Sequence, residues 1–268
     1  MRSVRRLRRG SHREAEGLLL AEGPQAIREA LACGVVESLV ATAQGAARQP
    51  ELVAPGWWEV DEATMGGLAD TVTPSGLLAV CRWEPRDASW WDLAGVAAQG
   101  RDEDEPLASP AVERPAFVLV CDQIRDPGNL GTVLRCADAF GADAVVLSHG
   151  SVDVTNMKAV RASAGSLFHL PVVADADLAE SVTGLKRAGL TVLASDGQGD
   201  VDLADFVADG TLSGPVAWLM GNEAWGLPDQ DRALADHVVR IPMPGRAESL
   251  NLAAAAAICL YATASARA

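Results

Sequence analysis

This chain is missing most of the sequence signatures that announce a chemistry. Its five cysteines, Cys33, Cys81, Cys121, Cys136 and Cys259, form no CxxC pair. Metal ligation wants close pairs and a disulfide framework wants an even count, so reduced and mostly buried thiols are the expectation. No metal-binding cluster is visible, and the four histidines, His12, His149, His169 and His237, stand alone. GxGxxG is absent after any strand-like run, which disfavours dinucleotide binding in its familiar mode. GxxxxGK[ST] and GxSxG are absent too, which excludes a P-loop and a nucleophile elbow. No apolar run approaches the roughly 18 to 20 residues of a membrane span. The start, Met1-Arg-Ser-Val-Arg-Arg-Leu-Arg-Arg-Gly10, lacks the apolar core of a signal peptide. A soluble, cytoplasmic protein without membrane contact is expected.

Lysine is scarce as well: twenty of the 22 basic residues are arginine, a composition that suits bidentate phosphate contact and that codon bias would equally produce. The net charge of −14 runs against nucleic-acid binding, which usually rests on basic residues at phosphates. The distribution softens that objection. Residues 1–13 hold six arginines and no acid, so the remainder carries 16 basic against 36 acidic residues. A local patch matters more to binding than the total.

A length of 268 residues with 49% hydrophobic content can bury one large domain or two modest ones. The first third reads as a compact α/β module ending near residue 83, with strands at 17–21, 35–42 and 76–83. Its helix spans 22–34, with Pro24 near the first turn and Gly34 past the end. From 84 to 114, mixed prolines, Trp90-Trp91 and the charge run Arg101-Asp-Glu-Asp-Glu-Pro106 read as a solvated linker. The tryptophan pair would stack on RNA or, more simply, fold back onto a domain. Residues 115–268 then alternate strands (117–121, 144–148, 170–173, 190–195, 216–220, 237–241) with helices (129–140, 156–164, 178–188, 230–235, 250–264). That alternation implies a mainly parallel, covered sheet.

Three segments stand out: Asp122-Gln-Ile-Arg-Asp-Pro-Gly-Asn-Leu-Gly-Thr-Val-Leu-Arg135, Leu219-Met-Gly-Asn-Glu-Ala-Trp-Gly-Leu-Pro228 and Ile241-Pro-Met-Pro-Gly-Arg-Ala-Glu-Ser-Leu-Asn251. Each follows a strand-like run, and loops at the carboxyl ends of parallel strands are where ligands bind in open α/β sheets. Their Gly and Asn content brings backbone N–H and C=O groups close to a flat, polar ligand. On residues alone, helix capping would account for Asn129 and Asn251, and a loop salt bridge for Glu223.

Together the segments resemble the SpoU/TrmH family of RNA 2′-O-ribose methyltransferases, within the SPOUT class. Asn129 and Arg135 match a DPGNxGxxxR motif, residues 221–227 match GNExxGL, and residues 241–251 match IPMxGxxxSLN, all in the family's order. Lys158-Ala-Val-Arg-Ala-Ser-Ala-Gly-Ser166 is similar to a supporting KxxRxSxG segment. Residues 13–23 and 73–80 resemble the ribosomal-protein-like RNA-binding module that many members carry.

The resemblance implies an RNA-binding domain at 1–83, a linker at 84–114 and a methyltransferase domain at 115–268 tied in a trefoil knot. It implies S-adenosylmethionine as methyl donor, S-adenosylhomocysteine as product, no metal, and a homodimer whose site lies at the subunit interface. The cofactor would be surrounded by Gly221, Asn222, Gly226, Ile241, Pro242, Met243 and Leu250. Arg135, Asn129, Glu223, Ser249 and Asn251 would shape the reaction site. Arg9, Arg13 and Arg161 would dock RNA, with rRNA favoured over tRNA. A non-catalytic ribosome-assembly protein of the same fold, and an unrelated α/β enzyme, are the competing readings.

Overall fold

A computed structural model of the chain describes residues 2–53, 56–86 and 115–268. Trp90-Trp91 and the acidic run 101–106 lie outside the described residues. Contacts divide the chain into two compact units that interleave in sequence. The first comprises Met1–Glu84, Asp126–Arg135 and Val152–His169; the second comprises Pro85–Arg125, Cys136–Ser151 and Leu170–Ala268.

The first unit holds a four-stranded sheet of β1 (Leu18–Glu22), β2 (Val36–Ala41), β3 (Trp58–Glu59) and β4 (Leu77–Arg82), in the order β1-β4-β2-β3. β4 runs antiparallel to β1 and β2, and β3 pairs parallel with β2. Leu20, Val40, Leu78 and Val80 from the strands pack with Met65 and Leu68 of the helix Glu62–Leu68 and with Val4 and Leu7 near the amino terminus. Met157 joins this core from the segment Val152–His169. The helix Pro24–Ala32 starts at its proline, and Gly34 beyond its end takes φ +68°, as the sequence suggests. The helices Arg2–Arg6, Gly10–Glu16, Ala43–Arg48 and Glu62–Leu68 go beyond the sequence reading, as does β3, because none is long enough to display a period.

Arg13 departs from expectation. It is 5% exposed: Nε donates to Thr155 Oγ1 at 2.8 Å, Nη1 donates to the Leu7 carbonyl at 2.8 Å, and Nη2 pairs with Asp153. A guanidinium consumed by three internal partners has no donor fork left for a phosphate, so the RNA contact assigned to Arg13 is replaced by a structural one. It staples the amino-terminal helices to the Asp153–Thr155 turn.

The second unit is built on a seven-stranded sheet of β5 (Phe117–Cys121), β6 (Ala144–Ser148), β7 (Val172–Ala176), β8 (Thr191–Ser195), β9 (Val201–Asp202), β10 (Val216–Met220) and β11 (His237–Arg240). Their order is β7-β6-β5-β10-β8-β11-β9, and every pairing is parallel. β5, β6 and β10 are buried at every position, as continuous apolar runs in a sheet covered on both faces should be. β7 starts after Pro171 rather than at Leu170, because proline has no N–H for the ladder. β11 stops at Arg240, where Ile241 is constrained by Pro242.

The closing helix Leu252–Arg267 is pinned near its carboxyl end. Fully buried Trp218 on β10 donates its indole N–H to Thr263 Oγ1 at 2.9 Å. Arg267 sits 5.0 Å over the Phe117 ring and donates to the carbonyls of Ala116 and Gly214. That clasp carries the helix past the expected Ala264.

Burial pushes the Cys81, Cys121 and Cys259 thiols up to about 12, which keeps them protonated, while Cys136 is half-buried and Cys33 exposed. Among the described residues no helix is long and apolar enough to cross a membrane, and no group of three metal-ligating side chains occurs.

Replacing Arg13 by Ala removes the hydrogen bonds to Thr155 Oγ1 and the Leu7 carbonyl and the ion pair with Asp153, and should lower the unfolding free energy by about 1–3 kcal/mol, the usual consequence of deleting a buried charged hydrogen-bonding group. Urea denaturation followed by circular dichroism measures it; a change near zero would contradict the staple.

Candidate functional site

The site in the second unit starts at the carboxyl end of β10. Asn222 and Gly226 close a tight loop through two reciprocal backbone hydrogen bonds of 3.0 and 2.9 Å. The Asn222 side chain serves both sides of that loop: Oδ1 accepts from the Ala224 N–H at 2.7 Å, and Nδ2 donates to the Gln123 carbonyl at 2.6 Å. Gly221 admits no side chain, because a Cβ there would collide with the Gly226 backbone. Gly226 itself holds φ +70°, which L side chains rarely adopt. The Glu223 carboxylate accepts from the Arg125 backbone N–H at 3.3 Å. Gln123, in the loop after β5, holds a left-handed φ of 48° and donates its N–H to Ser148 Oγ at the end of β6. Ser148 Oγ in turn donates to buried Asp122 at 2.7 Å.

Two further segments surround the same space. After β8, Asp196 Oδ1 accepts from the Gln198 N–H at 2.8 Å, and Oδ2 pairs with Arg232 Nη1 at 3.3 Å. After β11, Ile241 and Met243 approach, followed by Ser249 and Leu250. Asn251 Oδ1 accepts from the Ala253 N–H at 2.9 Å and caps the closing helix. The half-open cavity between them measures about 600 Å³, within the usual range for a small-molecule site.

Of the expected cofactor residues, Gly221, Asn222, Gly226, Ile241, Met243 and Leu250 line this cavity; of the expected reaction-site residues, Glu223 and Ser249 do. Pro242 does not line it, and neither does Asn251, whose side chain faces its own helix N-terminus. The sequence reading missed Ser195–Gln198, Trp225, Asp229 and Arg232, all of which contribute to the wall. The signal for the first of these was present: Asp196-Gly-Gln follows an apolar strand just as the recognised loops do. Four carboxylates (Asp196, Glu223, Asp229 and Glu248) against the single guanidinium of Arg232 make the lining acidic. Such a wall favours a cationic ligand and disfavours a polyanion.

The remaining expected residues belong to the first unit. Asp126 is the N-cap of the helix Pro127–Ala139: Oδ1 accepts from the Asn129 N–H at 2.8 Å, and the carbonyl accepts from Leu130 at 3.0 Å. Lys158 Nζ pairs with Asp126 Oδ2 at 3.0 Å. The Asn129 hydrogen bond, with help from Lys158, holds the Asp126 carboxyl below the usual carboxylate range. Gly131 packs so closely on the helix Met157–Ala162 that a Cβ would collide with the Ala159 carbonyl and the Ala162 methyl. Arg135 is exposed and has no ion-pair or hydrogen-bond partner among the described residues. Arg9 is also exposed. Arg161 is half-buried and shared between Asp70 at 3.2 Å and Glu22 at 3.5 Å, so its charge is largely answered within the protein.

Residues 116–261 match the SpoU rRNA Methylase family, and residues 1–79 match an MRM3-like substrate binding domain. The chain belongs to the SpoU rRNA methylase family. Within it, the chain is 32% identical over 260 residues to the 23S rRNA (guanosine(2553)-2′-O)-methyltransferase RlmP of Bacillus subtilis, covering 96% of this chain and 92% of that protein. It is 38% identical over 178 residues to a 23S rRNA (uridine(2479)-2′-O)-methyltransferase of Streptomyces viridochromogenes, covering 60% and 61% of the two chains. Among solved structures, the AdoMet-bound rRNA methyltransferase from Sinorhizobium meliloti superposes with a TM-score of 0.75 at 30% identity, over 98% of this chain and 92% of that one. AviRb from Streptomyces viridochromogenes in complex with AdoMet gives 0.76 at 29% identity, over 99% and 97%.

The depressed Asp126 carboxyl fixes the sign of a pH effect. A group whose folded pKa lies below its unfolded value of about 3.9 contributes stability that is present above the unfolded pKa and lost as pH falls through the folded one. Thermal melts of the wild-type chain should therefore drop below about pH 4. Asp126→Asn should melt lower at pH 7 and show a shallower acid loss. Parallel acid limbs would refute the capping role.

Proposed function

We propose that this SpoU-family chain transfers the methyl group of S-adenosylmethionine to a ribose 2′-hydroxyl of RNA, with 23S rRNA as the substrate class. The acidic 600 Å³ cavity at the carboxyl ends of parallel strands carries the reading. S-adenosylmethionine bears a sulfonium and an ammonium, so a wall with four carboxylates and one guanidinium fits its charge. Backbone groups of Gly221, Ile241 and Leu250 would hold it, while Arg232 stays paired with Asp196 and Asp229 and braces the wall. When bound, it supplies an electrophilic methyl group. RNA docking is assigned to residues 1–83 and methyl transfer to 115–268, with the chain acting in the cytoplasm and its second domain knotted as the family resemblance implies.

The protein's share of the chemistry is orientation and charge. Glu223, fixed by the Arg125 N–H, places a carboxylate in the cavity wall, where it offsets positive charge. Ser249 offers a hydroxyl to the same space. Arg135 and Asn129 are assigned to the RNA. A guanidinium is effectively always protonated and does not take the hydroxyl proton. Its role is to grip a phosphate bidentately, align the hydroxyl and stabilise developing oxyanion charge. Asn251 acts at one remove, by capping the helix that follows Leu250. Arg9 remains an RNA contact, and the partly answered charge of Arg161 makes a weaker one.

A homodimer is proposed on the same footing. The closing helix leaves Ala254, Ile258 and Tyr261 exposed at helical spacing, the latter two at 38% and 61%, and Phe140 packs edge-on to Tyr261 at 5.8 Å. An apolar stripe of this kind is what a second copy would cover. Ile258→Asp with Tyr261→Asp should convert a dimer to a monomer in sedimentation velocity; a wild-type monomer would reject the dimer outright.

The central test is Arg135→Ala. Ribose-methylation mapping of 23S rRNA and tRNA should find wild-type transfer to 23S rRNA and a loss in the variant of about 100-fold or more, with S-adenosylmethionine affinity by calorimetry held within a few-fold. Near-normal turnover would sink the assignment of Arg135. Transfer confined to tRNA would move the substrate, and binding without transfer would favour an assembly factor.

A further inference from the structure

Trp225 is 54% exposed and also lines the cavity. Its exposure does not come from a slack loop. The turn is closed by the Asn222–Gly226 backbone pair, braced from inside by the Asn222 side chain, and anchored by Glu223 to the Arg125 N–H. The backbone that carries the indole is therefore fixed at the rim, and much of the ring's surface is open to whatever arrives from solvent. What sets this tryptophan apart from an ordinary surface aromatic is its place in the cavity wall, where the ring offers an arriving ligand a flat apolar face.

The chemistry around it narrows the occupant. Glu223, Asp229 and Glu248 line the same cavity and repel phosphate. The part of a nucleotide that this rim can accept is the flat face of a base. Methyl transfer also requires the target ribose to come to the cavity, which brings its base to the rim with it. Enzymes acting on a single nucleotide commonly take it out of the stack, and an aromatic ring replaces the stacking lost. Resting on the function proposed above, we infer that Trp225 is the stacking platform for the base of the nucleotide being methylated. Stacking is tolerant of base identity, so this ring secures the nucleotide without choosing it.

The experiment compares wild type, Trp225→Phe and Trp225→Ala in three measurements: S-adenosylmethionine affinity by calorimetry, methyl transfer to 23S rRNA transcript, and binding of a fluorescein-labelled single-stranded oligoribonucleotide in the presence of S-adenosylhomocysteine. Trp225→Ala should lower kcat/KM for RNA and weaken oligoribonucleotide binding, each by about ten-fold or more, as expected for loss of one base–aromatic stack. Trp225→Phe should keep most of both, and cofactor affinity should stay within about two-fold in both variants, because the indole does not hold it. Unchanged RNA parameters in Trp225→Ala would overturn the proposal. So would a loss confined to cofactor affinity, which would assign the indole to S-adenosylmethionine. If wild type fails to methylate 23S rRNA, the proposed function falls, and the oligoribonucleotide measurement still decides whether Trp225 stacks on RNA.

Discussion

The parallel register of β10 with its two neighbours is the constraint on which the second unit's site depends. Met220, the last residue of β10, lies level with Cys121 at the end of β5 and with Ser195 at the end of β8. Val239 near the end of β11 is also level with Ser195. Because pairing is parallel, all four strands finish at the same edge, and the loops that follow them must emerge side by side. A slip of one residue would turn buried Trp218 away from Thr263 and move the Gly221–Leu227 loop off the Gln123 carbonyl. Site geometry is in this sense a consequence of strand pairing, and the loop residues refine a convergence that the sheet has already produced.

Charge is partitioned along the same lines. The chain is strongly acidic overall, yet its carboxylates do not act as a uniform field. Four of them line a cavity suited to a cation, where they repel the phosphates of RNA. Others neutralise arginines within the first unit, as Asp153 does for Arg13 and as Glu22 and Asp70 do for Arg161. The exposed arginines with no partner among the described residues, Arg135 foremost, are then the ones available to a polyanion. An abundance of arginine in the sequence therefore overstates the basic surface on offer.

Legibility from sequence followed physical cause. β5, β6 and β10 were readable to the residue because unbroken apolar runs bounded by polar loops admit one interpretation in a covered parallel sheet. β3 and β9, of two residues each, carry no period to read. Arg13 misled because a basic tract does not disclose which of its members turns inward; its partners Asp153 and Thr155 lie some 140 residues away in sequence. The Asp196–Arg232 pair was hidden for a related reason. It joins two segments with no shared motif, and the pairing of β8 with both β10 and β11 brings them to one wall.

The motifs divide between residues that make the backbone possible and residues left free for chemistry. In the first, Asp126 and Gly131 are spent on structure: one caps the helix and the other lets it approach the helix Met157–Ala162. In the second, Gly221, Asn222 and Gly226 fold the turn. In the third, Asn251 fixes the start of the closing helix. What these residues release is specific. Arg135 stands exposed on a capped helix, Glu223 is aimed by a backbone N–H, and Trp225 is held open on a closed turn. A charged or aromatic side chain on a rigid support leaves only its own rotamers to order when a ligand arrives, because the backbone beneath it is already fixed, and that saving is where a structural residue contributes to binding.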